Sequence, residues 1–392
     1  RLANPKSITI SDMFRPDANK TQPDGSNIPR VRGDSPAQLT VSKSGAGTEV
    51  RQVFADWVTQ IVRLPAGEGN PEFEMTIGPI PLGDGVGKEV IARYSTPLKS
   101  EGRWLTDSNG RELLERIRNY RPDYQAATAR YSGEPQASNM HPIQTAIAVR
   151  QAQGGGAQLT VTPDRSQAGT SLVDGQLELL VHRRLLADDG EGAGEPLNET
   201  ESYRYIQADD DDGPTTIVRE GRGLMIRARH WLTVDHAESA SAALAARELA
   251  ERVYAPVVTA FAPAGALANA RPQSMMGATP LPSAASILTI EPRPDGKSAF
   301  VRLAHKFGMH DGVNATAVRV DLAQLLRRKI TSAEEFTLNG LTKISEARPR
   351  LSWNVEGEPP VAESEPSEPE GDAMTVVLQP MEVRAFVLAF EG

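Results

Sequence analysis

The sequence predicts a mainly β protein built of two sandwich domains, with one notable helix. Short apolar runs separated by turn residues recur from about residue 48 to the end of the chain, at the density typical of sandwich folds. A single Ala-rich stretch shows apolar residues at helical spacing instead. A chain of 392 residues can form two or three domains, and its 39% hydrophobic residues can fill their cores.

The first part of the chain predicts a lead-in followed by a large β domain. Residues 1–45 are rich in Pro, Asn, Asp, Ser and Gly, so we expect an irregular segment there. The large domain is expected over residues 46–265. Its predicted strands lie at Val50–Val62, Glu72–Ile77, Lys88–Tyr94, Gln158–Thr162, Gln176–Leu186 and Leu224–Val234.

The predicted helix closes this domain. It covers Ala237–Tyr254, with Leu244, Leu249 and Val253 at helical spacing, and Pro256 ends it. We expect it to be the longest helix of the chain.

A smaller sandwich is predicted after a linker. Residues 266–282 are rich in Ala, Pro, Gly and Ser and predict the linker, and the second domain is expected over 283–392. Residues 357–372 form an acidic, Pro-rich stretch that predicts a solvated loop. The predicted strands of this domain lie at Ile287–Ile290, Ala299–Leu303, Ala317–Val320, Thr375–Leu378 and Val383–Phe390.

Composition excludes several function classes. A net charge of −9 and a pI of about 5.4 argue against nonspecific binding to nucleic acid. No apolar run approaches the roughly 20 residues of a membrane span. The chain has no cysteine, so disulfides and thiolate metal sites are ruled out. It starts at Arg1 without Met, and we expect it to be a processed piece of a longer protein.

The run Gly83–Lys88, with sequence GDGVGK, resembles a phosphate-binding loop only superficially. A P-loop needs a Gly four residues before the Gly-Lys pair and a Ser or Thr after it, but this chain has Leu82 and Glu89. A carboxylate would face the phosphates, and the hydroxyl ligand for Mg²⁺ is missing. The glycines therefore predict a β-turn between two strands.

No histidine or carboxylate pattern fits a standard metal site. His305, His310 and Asp311 are close in sequence, but their spacing matches no known motif. The run Asp209–Asp212 lacks the ligand order of an EF-hand and predicts a solvated loop. His230 and His236 flank the end of a predicted strand and predict ordinary core or surface residues. We expect no metal site in this chain.

Two adjacent arginines, Arg183 and Arg184, end the predicted strand Gln176–Leu186. Neighbours in a strand point to opposite faces, so at least one of them should point toward packed structure. A buried arginine needs hydrogen-bond partners, and an internal pair with Asp188 or Asp189 would supply them. The functional alternative is donation to hydroxyls or a carboxylate at a site.

Four long runs resemble the C-terminal half of the class II α-mannosidases, glycoside hydrolase family 38, and the lysosomal acid branch more than the Golgi branch. Similarity extends from about Phe14 to the end. The runs are IGPIPLGDGVGKEVIARYSTPL (77–98), GRWLTDSNGRELLERIRNYRP (102–122), VTPDRSQAGTSLVDGQLELLVHRRLLADDGEG (161–192) and LQPMEVRAF (378–386).

This resemblance implies a large mutarotase-like β-supersandwich followed by the smaller sandwich. It also implies a retaining mechanism with an Asp nucleophile, a second carboxylic acid that acts as acid and then base, and a Zn²⁺ held by His and Asp. None of those motifs is in this chain, so they are expected in an N-terminal catalytic half, and this chain alone should be inactive. The expected substrate is a mannose-containing oligosaccharide, an N-glycan with terminal α-linked mannose.

The resemblance also implies one substrate contact, an arginine from the RRL segment that reaches the bound mannose: either Arg183 or Arg184. The family tends to place a Tyr just before its FRP or FLP run, whereas this chain has Asp12 in SDMFRP, which puts that contact in doubt. Sequons at Asn19, Asn198 and Asn314 are near chance for this length, but they gain weight beside lysosomal relatives.

Location and partners follow from the same resemblance. We expect the lysosome, the vacuole or secretion. The expected partner is the N-terminal half of the same precursor, with nucleic acid and membrane excluded and a homo-oligomer of the assembled enzyme left open.

Two other function classes compete with this one. The missing nucleophile would suit a noncatalytic carbohydrate-binding or structural β module. The supersandwich would suit an independent mutarotase-like enzyme, which needs a His and carboxylate pair, for which His182 or His230 with a Glu are candidates.

Overall fold

A computed structural model describes most of the chain. The described residues are 9–16, 37–67, 69–85, 87–107, 109–120, 135–152, 156–188, 194–209, 213–236, 240–263, 265, 274–309, 311, 314–347 and 374–391. They form two compact units, Arg1–Ala242 and Ala243–Gly392.

The first unit contains strands β1 to β16 and a short helix, α1 (Pro135–Ser138). The strands are β1 (Thr9–Pro16), β2 (Gln38–Ser44), β3 (Gly47–Ala55), β4 (Val58–Pro65), β5 (Glu72–Ile77), β6 (Lys88–Ser95), β7 (Arg103–Asp107), β8 (Leu113–Ile117), β9 (His141–Ile143), β10 (Ile147–Arg150), β11 (Ala157–Pro163), β12 (Gln167–Thr170), β13 (Gln176–Arg184), β14 (Thr200–Asp209), β15 (Gly213–Gly223) and β16 (Ile226–His236).

Two antiparallel sheets of this unit share one core. The five-stranded sheet has the order β1-β6-β13-β12-β9, and the nine-stranded sheet has the order β2-β3-β4-β5-β16-β11-β10-β7-β8. Alternate residues of each strand turn inward, as a period of two requires, so Tyr94 of β6 and Phe73 of β5 meet edge to face with ring centroids 5.7 Å apart. Trp104 and Ile147 are fully buried in the same core. Strands β14 and β15 form a separate hairpin.

The second unit begins inside helix α2 (Ala240–Tyr254). It contains β17 (Ala285–Pro292), β18 (Ser298–His305), β19 (Val318–Asp321), β20 (Ile330–Phe336), β21 (Thr375–Leu378), β22 (Val383–Phe390) and two single turns of 3₁₀ helix, Leu322–Gln324 and Ile344–Glu346. A four-stranded sheet, β17-β18-β22-β20, and a pair, β19-β21, bury a common core that includes Val301, Val320 and Phe386.

The mainly β fold, a larger sandwich followed by a smaller one, is therefore confirmed. Helix α2 lies where the periodicity predicted it, and it is the longest helix among the described residues. No helix in the described part of the chain is long and apolar enough to span a membrane.

Two details of the structure differ from the domain organisation predicted from the sequence. The lead-in was expected to be irregular, but β1 and β2 lie within residues 1–45. The grouping into units divides the chain within α2, earlier than the predicted linker over 266–282. Residues 266–273 lie outside the described part. Gly277, near the end of the predicted linker, donates to the Leu325 carbonyl at 3.0 Å and so belongs with the second unit.

Candidate substrate-facing site

The glycine-rich run GDGVGK forms a turn that uses its own lysine. Gly85 N donates to the Leu82 carbonyl at 2.9 Å, which closes the turn between β5 and β6. Lys88 Nζ donates to the Pro81 carbonyl and to Asp84 Oδ1, each at 2.7 Å. The lysine is thus neutralised locally, and the predicted β-turn is confirmed.

The arginine pair lies just beyond this turn, where β13 runs antiparallel to β6. The register of the two strands shifts between Leu180 and His182, a β-bulge, after which Arg183 lies opposite Glu89. Before the bulge, Leu177 and Leu179 face the core. Because one extra residue flips every later side chain to the other face, the bulge takes Arg183 off the core face.

Arg184 is the structural member of the pair. Its Nε donates to Asn198 Oδ1 at 2.7 Å, and its Nη1 donates to the Ile80 carbonyl at 3.0 Å. A Cβ at Gly223 would lie 2.5 Å from that Nη1, so the glycine leaves room for the guanidinium. Arg184 therefore joins the loop after β5, the segment before β14 and the end of β15.

Arg183 is the exposed member. Its side chain is 44% exposed, and among the described residues it faces Glu89, with Nη1 3.8 Å from Oε1. That separation is too long for a hydrogen bond, and a half-exposed pair in water is weak. The planar donor groups of Arg183 are consequently available to a ligand.

The prediction that the two arginines serve different faces is confirmed, but the acceptors differ from those predicted. Arg184 uses a backbone carbonyl and the amide of Asn198, where we expected Asp188 or Asp189. Asp189 lies outside the described residues. No sequence pattern selects Asn198 as this acceptor, because it lies 14 residues away along the chain.

The N-terminal strand β1 also pairs with β6, so three neighbouring strands meet beside the arginine pair. It pairs with β6 so that Asp12 lies opposite Ala92 and Arg15 lies opposite Glu89. Arg15, Glu89 and Arg183 therefore occupy one row across three neighbouring strands. Sequence reasoning considered Asp12 and missed Arg15, whose place depends on strand pairing.

The histidines considered for sugar chemistry have structural partners. His230 is fully buried: Tyr94 Oη donates to its Nδ1 and its Nε2 donates to Gln167 Oε1, each at 2.8 Å. Burial lowers the pKa of His230 to about 3, so the ring is neutral. His182 Nε2 donates to the Leu224 carbonyl at 3.1 Å, and burial also lowers its pKa. The hydrogen bonds described for both rings therefore involve no carboxylate, which gives no support to a mutarotase-like pair.

The residues considered for a metal site are engaged elsewhere. His305 is buried, donates from Nε2 to the Thr316 carbonyl at 2.9 Å and accepts from Phe307 N at 3.2 Å. Asp311 accepts from Gly308 N and pairs with Arg247 at 3.2 Å. His310 and residues 210–212 lie outside the described residues. Within the described part of the chain, no group of three His, Cys, Asp or Glu residues could hold a metal ion. The described residues thus do not fit the zinc that the resemblance implies.

The predicted glycosylation sites differ in accessibility. Asn198 is exposed, Asn314 is half-buried, and Asn19 lies outside the described residues. The Asn198 oxygen serves Arg184, while its amide nitrogen is the atom that carries a glycan at a sequon.

The motif TDSNG has a structural explanation. The carboxylate of the fully buried Asp107 accepts from the backbone amides of Gln144, Thr145 and Ala146 at 2.9 to 3.0 Å and from the Thr145 hydroxyl at 2.7 Å. It joins the end of β7 to the loop before β10, so the aspartate of this motif stabilises the sheet.

Comparison with known proteins identifies the family. The model of the family 38 glycosyl hydrolase C-terminal domain matches residues 13–191, which include the second half of β1, all of β6 and β13, and hence both arginines. The chain belongs to glycosyl hydrolase family 38. The resemblance inferred from the four sequence runs is thereby confirmed.

The curated relatives of this family 38 chain include lysosomal α-mannosidases. The protein of Bos taurus is 39% identical over 363 residues, covering 91% of this chain and 33% of the relative. That of Homo sapiens is 38% identical over 389 residues, covering 97% and 34%. The α-mannosidase of Canavalia ensiformis is 31% identical over 394 residues, covering 95% and 37%. The chain thus spans about a third of the length of the relatives it matches.

A solved structure supports the fold. The α-mannosidase from Enterococcus faecalis V583 superposes on this chain with a TM-score of 0.53. The superposition covers 98% of this chain and 38% of the Enterococcus faecalis chain. At 13% identity the likeness concerns the fold alone.

Proposed function

We propose that this chain is the C-terminal part of a retaining α-mannosidase that hydrolyses terminal α-linked mannose of N-glycan oligosaccharides. Its family and the names of its relatives support the enzyme class. In this proposal Zn²⁺, the nucleophile and the acid/base belong to an N-terminal catalytic half, for which the relatives, about three times as long as this chain, leave room. The lysosome or vacuole is the proposed location, with secretion as the alternative.

Arg183 is the proposed substrate contact of this chain. The observation that carries this assignment is the contrast between the half-exposed Arg183 and Arg184, which donates to Ile80 and Asn198. In the proposed complex, the Arg183 guanidinium donates to a mannose hydroxyl and orients the sugar, while Arg184 fixes the loops behind it. Holding the sugar in one orientation lowers the entropic part of the barrier.

Coexpression tests the proposed function. The chain and the upstream part of its gene product, produced together, should hydrolyse an aryl α-mannoside, and neither should do so alone. Dialysis against a chelator should remove this activity, and added Zn²⁺ should restore it. A stable complex that binds mannose oligosaccharides without cleaving the mannoside would indicate the noncatalytic module instead.

A further inference from the structure

Residues 255–263, directly after helix α2, form an apolar segment on the surface. Ala255 N donates to the Glu251 carbonyl at 2.8 Å, which completes the last turn of the helix. Pro256 has no amide hydrogen, so the helix ends there. The chain then continues to Pro263 without helix or strand. The segment carries no charged side chain, and its one hydroxyl is that of Thr259.

The large side chains of this segment are almost completely exposed. Val257 is 94%, Val258 90% and Phe261 96% exposed. Other exposed apolar residues of the second unit are more covered, with Leu288 at 49% and Leu341 at 80%. Single exposed apolar residues are ordinary, but three within five positions form a patch typical of an interaction site.

We infer that residues 255–263 dock into an apolar groove on the upstream part of the same protein. This inference rests on the proposed function. The chain spans 33% to 37% of its relatives, so about two thirds of a relative's length lies outside it and can supply the groove. The segment has no charged side chain that a charged partner surface could complement. The surface that binds it is therefore expected to be apolar.

The form of the segment suits this role. Pro256 and Pro263 fix φ at both ends, which restricts the free conformations and lowers the entropy lost on docking. Phe261 is an aromatic side chain of the type that dominates interface cores, and Val257 and Val258 flank it.

A triple substitution tests the docking. Val257→Ser, Val258→Ser and Phe261→Ser are combined in one chain, and association with the upstream part is measured by co-purification and by titration. The matched control replaces three exposed leucines of the same unit, Leu288, Leu338 and Leu341, by Ser. We expect Kd to rise at least tenfold for the triple variant and to stay within twofold for the control, with circular dichroism and Tm unchanged for both.

Three other results would overturn the inference. If the triple variant binds the upstream part as tightly as the wild type, the segment is not the dock, and the proposed function stands. If the isolated wild-type chain dimerises in sedimentation and the triple variant does not, the occupant is a second copy. If the wild type binds phosphatidylcholine vesicles through these residues, the occupant is a lipid surface. Failure of the wild-type chain to bind the upstream part would instead remove the proposed function and this inference with it.

Discussion

At the scale of single residues, a β-bulge separates two neighbouring arginines. Without the shift between Leu180 and His182, Arg183 would continue the core-facing row of Leu177 and Leu179. With it, Arg183 is half-exposed beside Glu89, and Arg184 enters the packed side with two acceptors. Strand alternation predicted the opposite faces, but the bulge has no signature in the sequence, so it could not predict which arginine is exposed.

His230 gives a prediction about pH. Its pKa of about 3 in the folded chain lies below 6.5, the value of an exposed imidazole, because the buried site excludes the charged ring. The unfolded chain therefore binds the extra proton as pH falls. This contribution to stability is fully present above pH 6.5 and is lost progressively toward pH 3.

We expect His230→Gln to reduce this pH dependence. The wild type should lose about 2 kcal/mol of unfolding free energy through this residue between pH 7.5 and 5, and the variant should not. Its stability at neutral pH should also fall, because the Tyr94 and Gln167 hydrogen bonds change. Urea titrations at several pH values measure both effects, with the exposed His236→Gln as control. Equal pH slopes for wild type and His230→Gln would show that His230 does not titrate in this way.

At the scale of elements, the strands predicted from alternating apolar residues were found. Strands β5, β6, β11, β18 and β22 lie within a few residues of their predicted bounds, because each contains several buried apolar residues. The missed strands lack that signal: every residue of β2 is exposed, since β2 is an edge strand of its sheet. Strand β7 has four buried residues, but two of them, Thr106 and Asp107, are polar, so the strand shows no apolar run in the sequence.

The LQPMEVRAF run contributes an ion pair between elements. Arg384 of β22 donates to both oxygens of Glu335 in β20, at 2.8 and 2.5 Å, and to the Val377 carbonyl of β21 at 3.1 Å. Its side chain is largely buried, and the Glu335 carboxylate raises the pKa of Arg384 above its usual value. One side chain thus connects the four-stranded sheet to the β19-β21 pair.

Arg384→Ala should therefore destabilise the second unit. Three hydrogen bonds would be lost and Glu335 would be left with a partly buried charge, so we expect a loss of about 2–4 kcal/mol in unfolding free energy. Lys329→Ala, which breaks the exposed pair with Glu391 at 2.7 Å, should change it far less. Urea unfolding followed by circular dichroism compares the two variants. Similar losses for both would show that the Arg384 contacts add little.

At the scale of the whole molecule, the chain is rich in β-strands and spans about a third of the length of the lysosomal α-mannosidases that it matches. The family and the two sandwiches could be predicted from the sequence because long motifs and alternating runs carry them. The position of Arg15 beside Glu89, the Asn198 acceptor and the exposed segment 255–263 could not. They depend on strand pairing and on contacts between residues distant in sequence.

We propose that Arg183, and not Arg184, contacts the mannose in the assembled enzyme. The most direct test measures kcat/KM on an α-mannoside together with Tm for Arg183→Ala, Arg183→Lys and Arg184→Ala. Loss of a charged hydrogen bond to the sugar should lower kcat/KM of Arg183→Ala by roughly 10- to 150-fold at near wild-type Tm. Lys keeps the charge but not the planar fork, so Arg183→Lys should also be impaired. Arg184→Ala should lower Tm first. Full activity of both folded Arg183 variants, or a loss of activity confined to Arg184→Ala at unchanged Tm, would contradict the claim.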